Sequence, residues 1–433
     1  MQSDNTSASM QEHFRVLQFT LAWSGEILLY AYFAMPFIVD EKLSVISLRI
    51  PPQADAFGTV WPYYSLIHLA AFLIACGLFV LGSGRCILSN KFLLAYLAVN
   101  LIAVGAIPLA TPAGQPMYWD YALEFVRLAS LTFLATAVLE VRNYDPAILA
   151  RCLLIVLAIP LSFLLISNPV HFLAQRSGRV NGPGLEITST GHAGAIALLL
   201  GISLPLSQRY RIPMMVLGST ALILSGSRIP FALALLIATI HLWRQARSFS
   251  RRLAIVGTVA GLAGIAVALG STGSVGGGRF GTLTGDSGAL ETEYTVGRGI
   301  ALLTTMEMLS EHPLGYVDSD WAIQRELAEL GFPSHTHSHY FQSYLRYGPL
   351  MALFWGVLIW FAVAGSRAGS PYAGCLWFIV IGSALDYYGF VTKAMVVVFM
   401  IAFLNEAYVR GASPGSNYAE VSLRAEKGAV CLP

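Results

Sequence analysis

The sequence predicts an all-α polytopic membrane protein with about twelve transmembrane helices. Hydrophobic residues make up 56% of the 433 residues and charged residues only 12%, whereas a soluble domain carries about 25% charged residues. Several apolar runs reach the ~20 residues needed to cross ~30 Å of hydrocarbon. No cleavable signal peptide is expected, because the polar first 14 residues are followed by an apolar run of full span length. No nucleic-acid partner is expected.

Apolar runs separated by polar or basic loops give the individual spans. Nine of them fall within residues 1–270, a large polar loop covers 271–340, three more fall within 341–409, and a polar tail covers 410–433. The predicted spans are 15–39, 60–83, 91–111, 120–140, 148–167, 188–206, 212–224, 228–243, 252–271, 341–364, 371–388 and 391–409.

The placement of lysine and arginine predicts the orientation of these spans. Short cytoplasmic loops carry an excess of both residues. With the N-terminus inside, every even-numbered connection is cytoplasmic, and 15 of the 26 basic residues fall on that side. Both termini are then cytoplasmic, and the 271–340 loop faces outward. The other 11 basic residues lie in spans or on the outer side, which indicates an outer anion site. Interface snorkelling and local ion pairs are the alternative.

The seventh and eighth spans are short and meet at Ser225–Arg228, which reads SGSR. A helix of about 12 residues rises only ~18 Å, so this break is expected inside the protein or in a water-filled cavity. A guanidinium grips phosphate oxygens with a planar fork. Arg228 is therefore predicted to hold a phosphate. Pairing with a buried carboxylate, such as Glu124 or Asp386, is the alternative.

Three more arginines on the outer side are candidates for the same anion. The large loop starts with a glycine-rich stretch that contains Arg279, and its predicted helix 293–310 carries Arg298 in the first turns. These two could hold a second phosphate or stabilise charge on a departing diphosphate. Arg179, in the segment before the sixth span, could add a contact. For Arg298, a surface pair with the acidic residues at 291 and 293 is equally open.

Alternating histidines end the large loop in the segment SHTHSHYF, residues 334–341. A histidine titrates near neutrality and can take a proton from a sugar hydroxyl. A helix that begins near Ser338 would place His337 at its entrance. His339 and Tyr340 would follow as substrate contacts, although an aromatic there also suits an interfacial belt. Zinc binding lacks a nearby cysteine or a convincing carboxylate ligand, so no metal is expected.

Together these motifs resemble the O-antigen ligase and Wzy-type polysaccharide polymerase superfamily. The resemblance rests on SGSR after a short span, VGRG and SEHPLGY in a large outer loop, and HSHYFQSYLRYG entering a span. The resemblance covers about residues 176–353. Within this superfamily, the chain also resembles the xanthan-type exopolysaccharide polymerases. The resemblance implies a GT-C-like membrane fold in the bacterial inner membrane with the active site facing the periplasm. It also implies an undecaprenyl-diphosphate-linked glycan as donor, with no nucleotide sugar, metal or other cofactor.

The resemblance also implies roles for individual residues. Arg228 matches the arginine after the short span, Arg298 the loop-helix arginine, and His337 the histidine of a His-Asn-x-Tyr pattern. Ser338 stands where asparagine is usual, so either His337 or His339 could be the acting histidine. Arg346 stands where glutamate is common, which implies a more anionic substrate environment.

The implied activity is polymerisation of lipid-linked oligosaccharide repeat units. In this interpretation arginines neutralise the diphosphate and His337 orients or deprotonates the acceptor hydroxyl. The expected partners are the lipid-linked glycan, the bilayer and a chain-length-regulating co-polymerase. A ligase that moves glycan to lipid A core or protein uses the same motifs and stays open. A transporter or flippase for a lipid-linked or anionic solute is the alternative from another class. That class favours broken helices in both halves, and only one break is apparent.

Overall fold

Every secondary-structure element that the structure describes is helical, which confirms the all-α prediction. The computed structural model describes residues 2–34, 61–83, 94–95, 98, 116–167, 187–225, 227–271, 303, 305–311, 313–314, 338–385 and 392–411. Its α-helices are α1 Gln2–Ala34, α2 Trp61–Leu78 with a π-helical end Phe79–Ser83, α3 Pro116–Val141, α4 Pro146–Ser167, α5 Ile187–Ser203, α6 Gln208–Leu224, α7 Arg228–Gln245, α8 Phe249–Ser271, α9 His339–Tyr347, α10 Met351–Ala368, α11 Ala373–Leu385 and α12 Thr392–Gly411.

Apart from the tenth, the predicted spans coincide with helices where the structure describes them, although several helix bounds differ. The first helix starts at residue 2 rather than 15. The seventh begins at Gln208, so α6 has 17 residues and rises about 25 Å instead of ~18 Å. Pro213 lies inside that helix and has no amide hydrogen to donate to a helical carbonyl. The third predicted span, 91–111, lies outside the described residues except for 94, 95 and 98, which are helical.

The tenth predicted span, 341–364, is wrong as a single helix. A short helix, α9, is followed by a 3₁₀ turn at Gly348–Leu350 and then by α10. Gly348 has a φ of 70°, a left-handed conformation that glycine adopts readily. Pro349 follows it, and a proline cannot continue the helical hydrogen bonds. The apolar run therefore folds as two helices.

By length and apolar composition, α10 is the one helix among the described residues that qualifies as a membrane span. Five shorter apolar stretches occur at Ile67–Leu81, Leu128–Val141, Pro146–Ile159, Thr190–Ser203 and Ala373–Leu385. A buried helix in a soluble core passes the same test. The number of spans, their orientation and the domain bounds built on them therefore stay predictions.

The tightest packing in the described bundle joins α5 and α6 as an antiparallel pair. Gly194 and Gly218 lie against each other's backbone, since a Cβ on either would lie 2.7 Å from the other's carbonyl oxygen. Further along the pair, the Arg211 guanidinium donates to the Gly201 carbonyl, at 3.1 Å. Small residues let helix backbones approach in this way. The pair positions the break that follows α6.

Gly218→Ala is expected to destabilise the protein by about 1–3 kcal/mol, the usual cost of overpacking. The added methyl would lie 2.7 Å from the Gly194 carbonyl oxygen and 2.9 Å from the Leu198 amide nitrogen, so the two helices must separate. Thermal unfolding of the purified chain in detergent measures the loss. Gly257→Ala on α8 is the matched control, because a Cβ there meets nothing within 4 Å. Equal unfolding temperatures for the two variants would contradict the close packing.

A buried network of ion pairs and hydrogen bonds connects α1 to α4 and to the turn between α3 and α4. Glu26, which is 4% exposed, accepts from Arg142 at 2.9 Å and from Arg151 at 2.5 Å. Tyr30 donates its hydroxyl to the same carboxylate at 2.6 Å. Arg151 also donates to the Tyr210 hydroxyl on α6, at 3.0 Å. Glu26 therefore makes two ion pairs inside the bundle.

Candidate functional site

The break between α6 and α7 is buried within the protein, as predicted. Ser225 and Ser227 are 0% and 4% exposed. The Ser225 hydroxyl donates to the Leu222 carbonyl at 2.9 Å and accepts from the Ser227 amide at 3.2 Å. Gly191 of α5 lies directly against it, since a Cβ there would be 2.7 Å from the Ser225 oxygen. Hydrogen bonds within the break and the absent side chain of Gly191 thus let the chain turn inside the bundle.

Arg228 is the first residue of α7 and is half-buried. The N-terminus of an 18-residue helix carries a partial positive charge from aligned peptide dipoles. The guanidinium adds a full charge at the same point, so this position favours an anion. The side chains of Glu124 and Asp386, the alternative partners, lie outside the described residues.

The entrance to α9 lies where the sequence predicted it. Ser338 occupies the N-cap position and the helix begins at His339. The His339 side chain is buried, and its ring meets the edge of Trp355 with centroids 5.6 Å apart. Trp355 donates its indole N–H to the Ser343 hydroxyl at 3.0 Å. His339 therefore packs α9 onto α10, a contact that its position in the sequence did not indicate.

Tyr340 has a similar packing role. Its ring lies edge-on to Trp355, 4.4 Å between centroids, and its hydroxyl donates to the Val380 carbonyl of α11 at 2.6 Å. Burial raises the pKa of Tyr340 to about 12, so the hydroxyl stays protonated near neutral pH and keeps this bond. Sugar contact by Tyr340 stays a prediction.

Part of the large loop packs onto α9. Its residues 305–311 are helical, in agreement with the predicted helix 293–310, and Thr305 and Met308 are buried. Past the end of this helix, the Pro313 carbonyl accepts from the Tyr344 hydroxyl at 2.8 Å. A Cβ on Gly348 would collide with the Leu314 carbonyl. The proline and leucine of SEHPLGY thus contact the helix that follows the histidines.

Contacts of α11 give the relative direction of the helices around the break. Phe378 lies 5.8 Å from His192, between ring centroids. Cys375 precedes Phe378 by three residues on α11, and Ile196 follows His192 by four residues on α5. The Cys375 thiol lies 3.9 Å from the Ile196 carbonyl. Helices α5 and α11 are therefore antiparallel. Since Gly191 lies against Ser227, the N-termini of α5 and α7 lie near the C-terminal end of α11.

The same contacts bring Arg228 and the start of α9 to one end of the bundle. Ile237 of α7 lies against Gly374 of α11. Ile237 is nine residues after Arg228, which corresponds to about 13 Å of helix. The Val380 carbonyl, which binds Tyr340, is six residues or about 9 Å beyond Gly374. The backbone of Arg228 and the Tyr340 hydroxyl therefore differ by only about 5 Å in level along the bundle.

The Glu26 network lies at the opposite end. Tyr210, which belongs to that network, is at the start of α6, and Ser225 directly follows its last residue. The fifteen residues between them correspond to about 22 Å of helix. The Glu26 network and the start of α7 therefore lie at different ends of the bundle.

The remaining predicted site residues lie outside the described residues. These are His337, Arg298, Arg279 and Arg179. Of the seven candidates, the structure describes Arg228, His339 and Tyr340 and brings them to the same end of the bundle. Ser227 is an addition that the sequence analysis missed, because a serine in an SGS turn does not by itself indicate a buried hydroxyl.

Comparison with known proteins supplies no further assignment. No family model matches the chain, and a search of curated proteins finds no match.

Proposed function

We propose that this chain is a metal-independent glycosyltransferase that polymerises undecaprenyl-diphosphate-linked repeat units at the periplasmic face of the bacterial inner membrane. One observation carries the proposal. Arg228 is the first residue of α7, directly after a buried break. It lies at the same end of the bundle as α9, the helix that follows the histidine segment. This arrangement suits a donor diphosphate on one side and an acceptor hydroxyl on the other.

The proposed reaction joins two lipid-linked glycans. An acceptor hydroxyl of the incoming repeat unit attacks the anomeric carbon of the growing chain, and a new glycosidic bond forms. The bond from that carbon to the diphosphate oxygen breaks, and the diphosphate leaves with the electron pair. His337 takes the hydroxyl proton. Arg228 and Arg298, assisted by Arg279 or Arg179, neutralise the leaving diphosphate.

Docking of residues 313–314 on α9 supports this division of roles. The predicted loop helix that carries Arg298 ends just before Pro313. The Pro313 carbonyl accepts a hydrogen bond from the Tyr344 hydroxyl on α9, the helix that follows His337 in the sequence. Residue 313 of the loop is thus in direct contact with α9. We propose that the loop covers the diphosphate while the histidine faces the acceptor.

The deciding experiment supplies purified, membrane-reconstituted protein with lipid-linked repeat units and no other acceptor. A polymerase is expected to give a ladder of products that differ by one repeat unit. A ligase would give no ladder until lipid A core or an acceptor protein is added. A transporter would move the lipid-linked substrate without forming a glycosidic bond. Absence of a ladder from well-folded protein would overturn the polymerase proposal.

A further inference from the structure

We propose that the N-terminus of α7 is a phosphate subsite in which the Ser227 hydroxyl and the Ile229 amide donate to the same anion that Arg228 neutralises. The ligand class is a phosphate group of a lipid diphosphate. This inference rests on the proposed function, and it adds two neutral donors to the arginine.

The Ser227 hydroxyl is the main reason for this assignment. Ser227 is the N-cap residue of α7 and is 4% exposed, yet its side chain makes no capping hydrogen bond. Its oxygen has no hydrogen-bond partner among the residues that the structure describes. A buried hydroxyl without a partner is costly. A bound phosphate oxygen would satisfy it.

The first turn of α7 supplies a second donor. Pro230 has no amide hydrogen, and the Phe231 amide donates to the Ser227 carbonyl at 3.2 Å. The amide of Ile229 has no acceptor within the helix, since the first turn lacks preceding carbonyls. Such amides, together with the helix dipole, bind phosphate at many helix N-termini. Here the Arg228 side chain starts from the same turn.

Gly191 packs directly against the serine. A Cβ on Gly191 would lie 3.3 Å from the Ser227 oxygen and 3.0 Å from its Cβ, so any larger residue would fill the space next to this hydroxyl. Ser225 is just as buried, but its hydroxyl already donates to the Leu222 carbonyl. Ser227 is therefore the one of the two that is disposed to bind a ligand.

Binding of undecaprenyl diphosphate to the full chain in nanodiscs tests the proposal, with undecaprenol as the phosphate-free control lipid. Ser227→Ala is expected to weaken binding of the diphosphate about tenfold, the usual loss for one hydrogen bond to a charged group. Binding of undecaprenol should not change. Ser203→Ala is the matched control, because Ser203 lies at the far end of α5 and its hydroxyl donates to the Leu199 carbonyl; it should bind the diphosphate as the wild type does. Ser227→Thr keeps the hydroxyl and should bind within about threefold of wild type.

Ser227→Asp separates a ligand role from a capping role. Aspartate is among the best N-cap residues, so a residue that only caps α7 would tolerate this change. A carboxylate in a phosphate subsite repels the anion, and binding should fall by about 100-fold or more. The unfolding temperature of each variant shows whether it folds. If Ser227→Asp does not fold, the comparison of Ser227→Ala with Ser227→Thr tests the ligand role of the hydroxyl.

Two results would overturn the subsite. One is Ser227→Ala with wild-type affinity for the diphosphate, and the other is equal loss in Ser203→Ala. If the wild-type chain binds the diphosphate through Ser227 but forms no ladder from lipid-linked repeat units, the polymerase proposal fails and the subsite stands. If a ladder forms and Ser227→Ala leaves binding unchanged, the subsite fails and the polymerase proposal stands.

Discussion

Arg228→Ala is expected to reduce polymer formation at least 100-fold while leaving the protein folded. Removal of one preorganised group that stabilises a developing negative charge costs 10²- to 10³-fold in other enzymes. Arg228 supplies a full charge at a helix N-terminus, where the peptide dipoles act in the same direction. The measurement is the rate of ladder formation from lipid-linked repeat units by the purified variant in nanodiscs. Polymer made in cells by the same variant gives a second readout.

Two further substitutions show whether position and shape matter as well as charge. Arg228→Lys keeps the charge but loses the planar fork, so an intermediate rate is expected. Arg244→Ala is the matched control, because Arg244 is an exposed arginine in the last turn of the same helix. That variant should form polymer at the wild-type rate. Normal ladder formation by well-inserted Arg228→Ala would exclude a role for this arginine in the reaction.

Local patterns predicted the helices well, because apolar composition and length determine where a helix can form. They failed where a single backbone conformation decides the outcome. The run from 341 to 364 was predicted as one span, yet Gly348 adopts a positive φ beside the Leu314 carbonyl and α9 ends there. The Gly348-Pro349 pair is a local turn signal, but the hydropathy of the run does not show it.

The candidate site shows the same division. Arg228 at the start of a helix and Ser338 at an N-cap could be predicted, because breaks and caps depend on neighbouring residues. The burial of Ser227 could not be predicted, since it follows from how closely α5 approaches the break at Gly191. The contact of His339 with Trp355 joins residues on two helices that the sequence analysis had treated as one. Tertiary contacts thus decide which polar groups are available for a ligand.

Those contacts separate the two histidines that the sequence left as alternatives. The His339 ring is buried against Trp355 and lies within the first turn of α9. His339→Ala should therefore leave a cavity and destabilise the chain by roughly 2–5 kcal/mol, as other large-to-alanine core changes do. His339→Phe keeps a ring in that space and is expected to retain most of the unfolding temperature and most of the polymerase rate.

His337→Ala is expected to behave in the opposite way. Loss of a general base typically reduces a rate by 10²- to 10⁴-fold, and the proposed role of His337 at the entrance of α9 predicts little change in unfolding temperature. Ladder formation and thermal unfolding, measured on the same purified variants, give the comparison. A polymerase rate that survives His337→Ala but is lost in stably folded His339→Phe would assign the base to His339. The ring of His339 would then have to leave its contact with Trp355 during the reaction, because a buried imidazole held against an indole has no access to an acceptor hydroxyl.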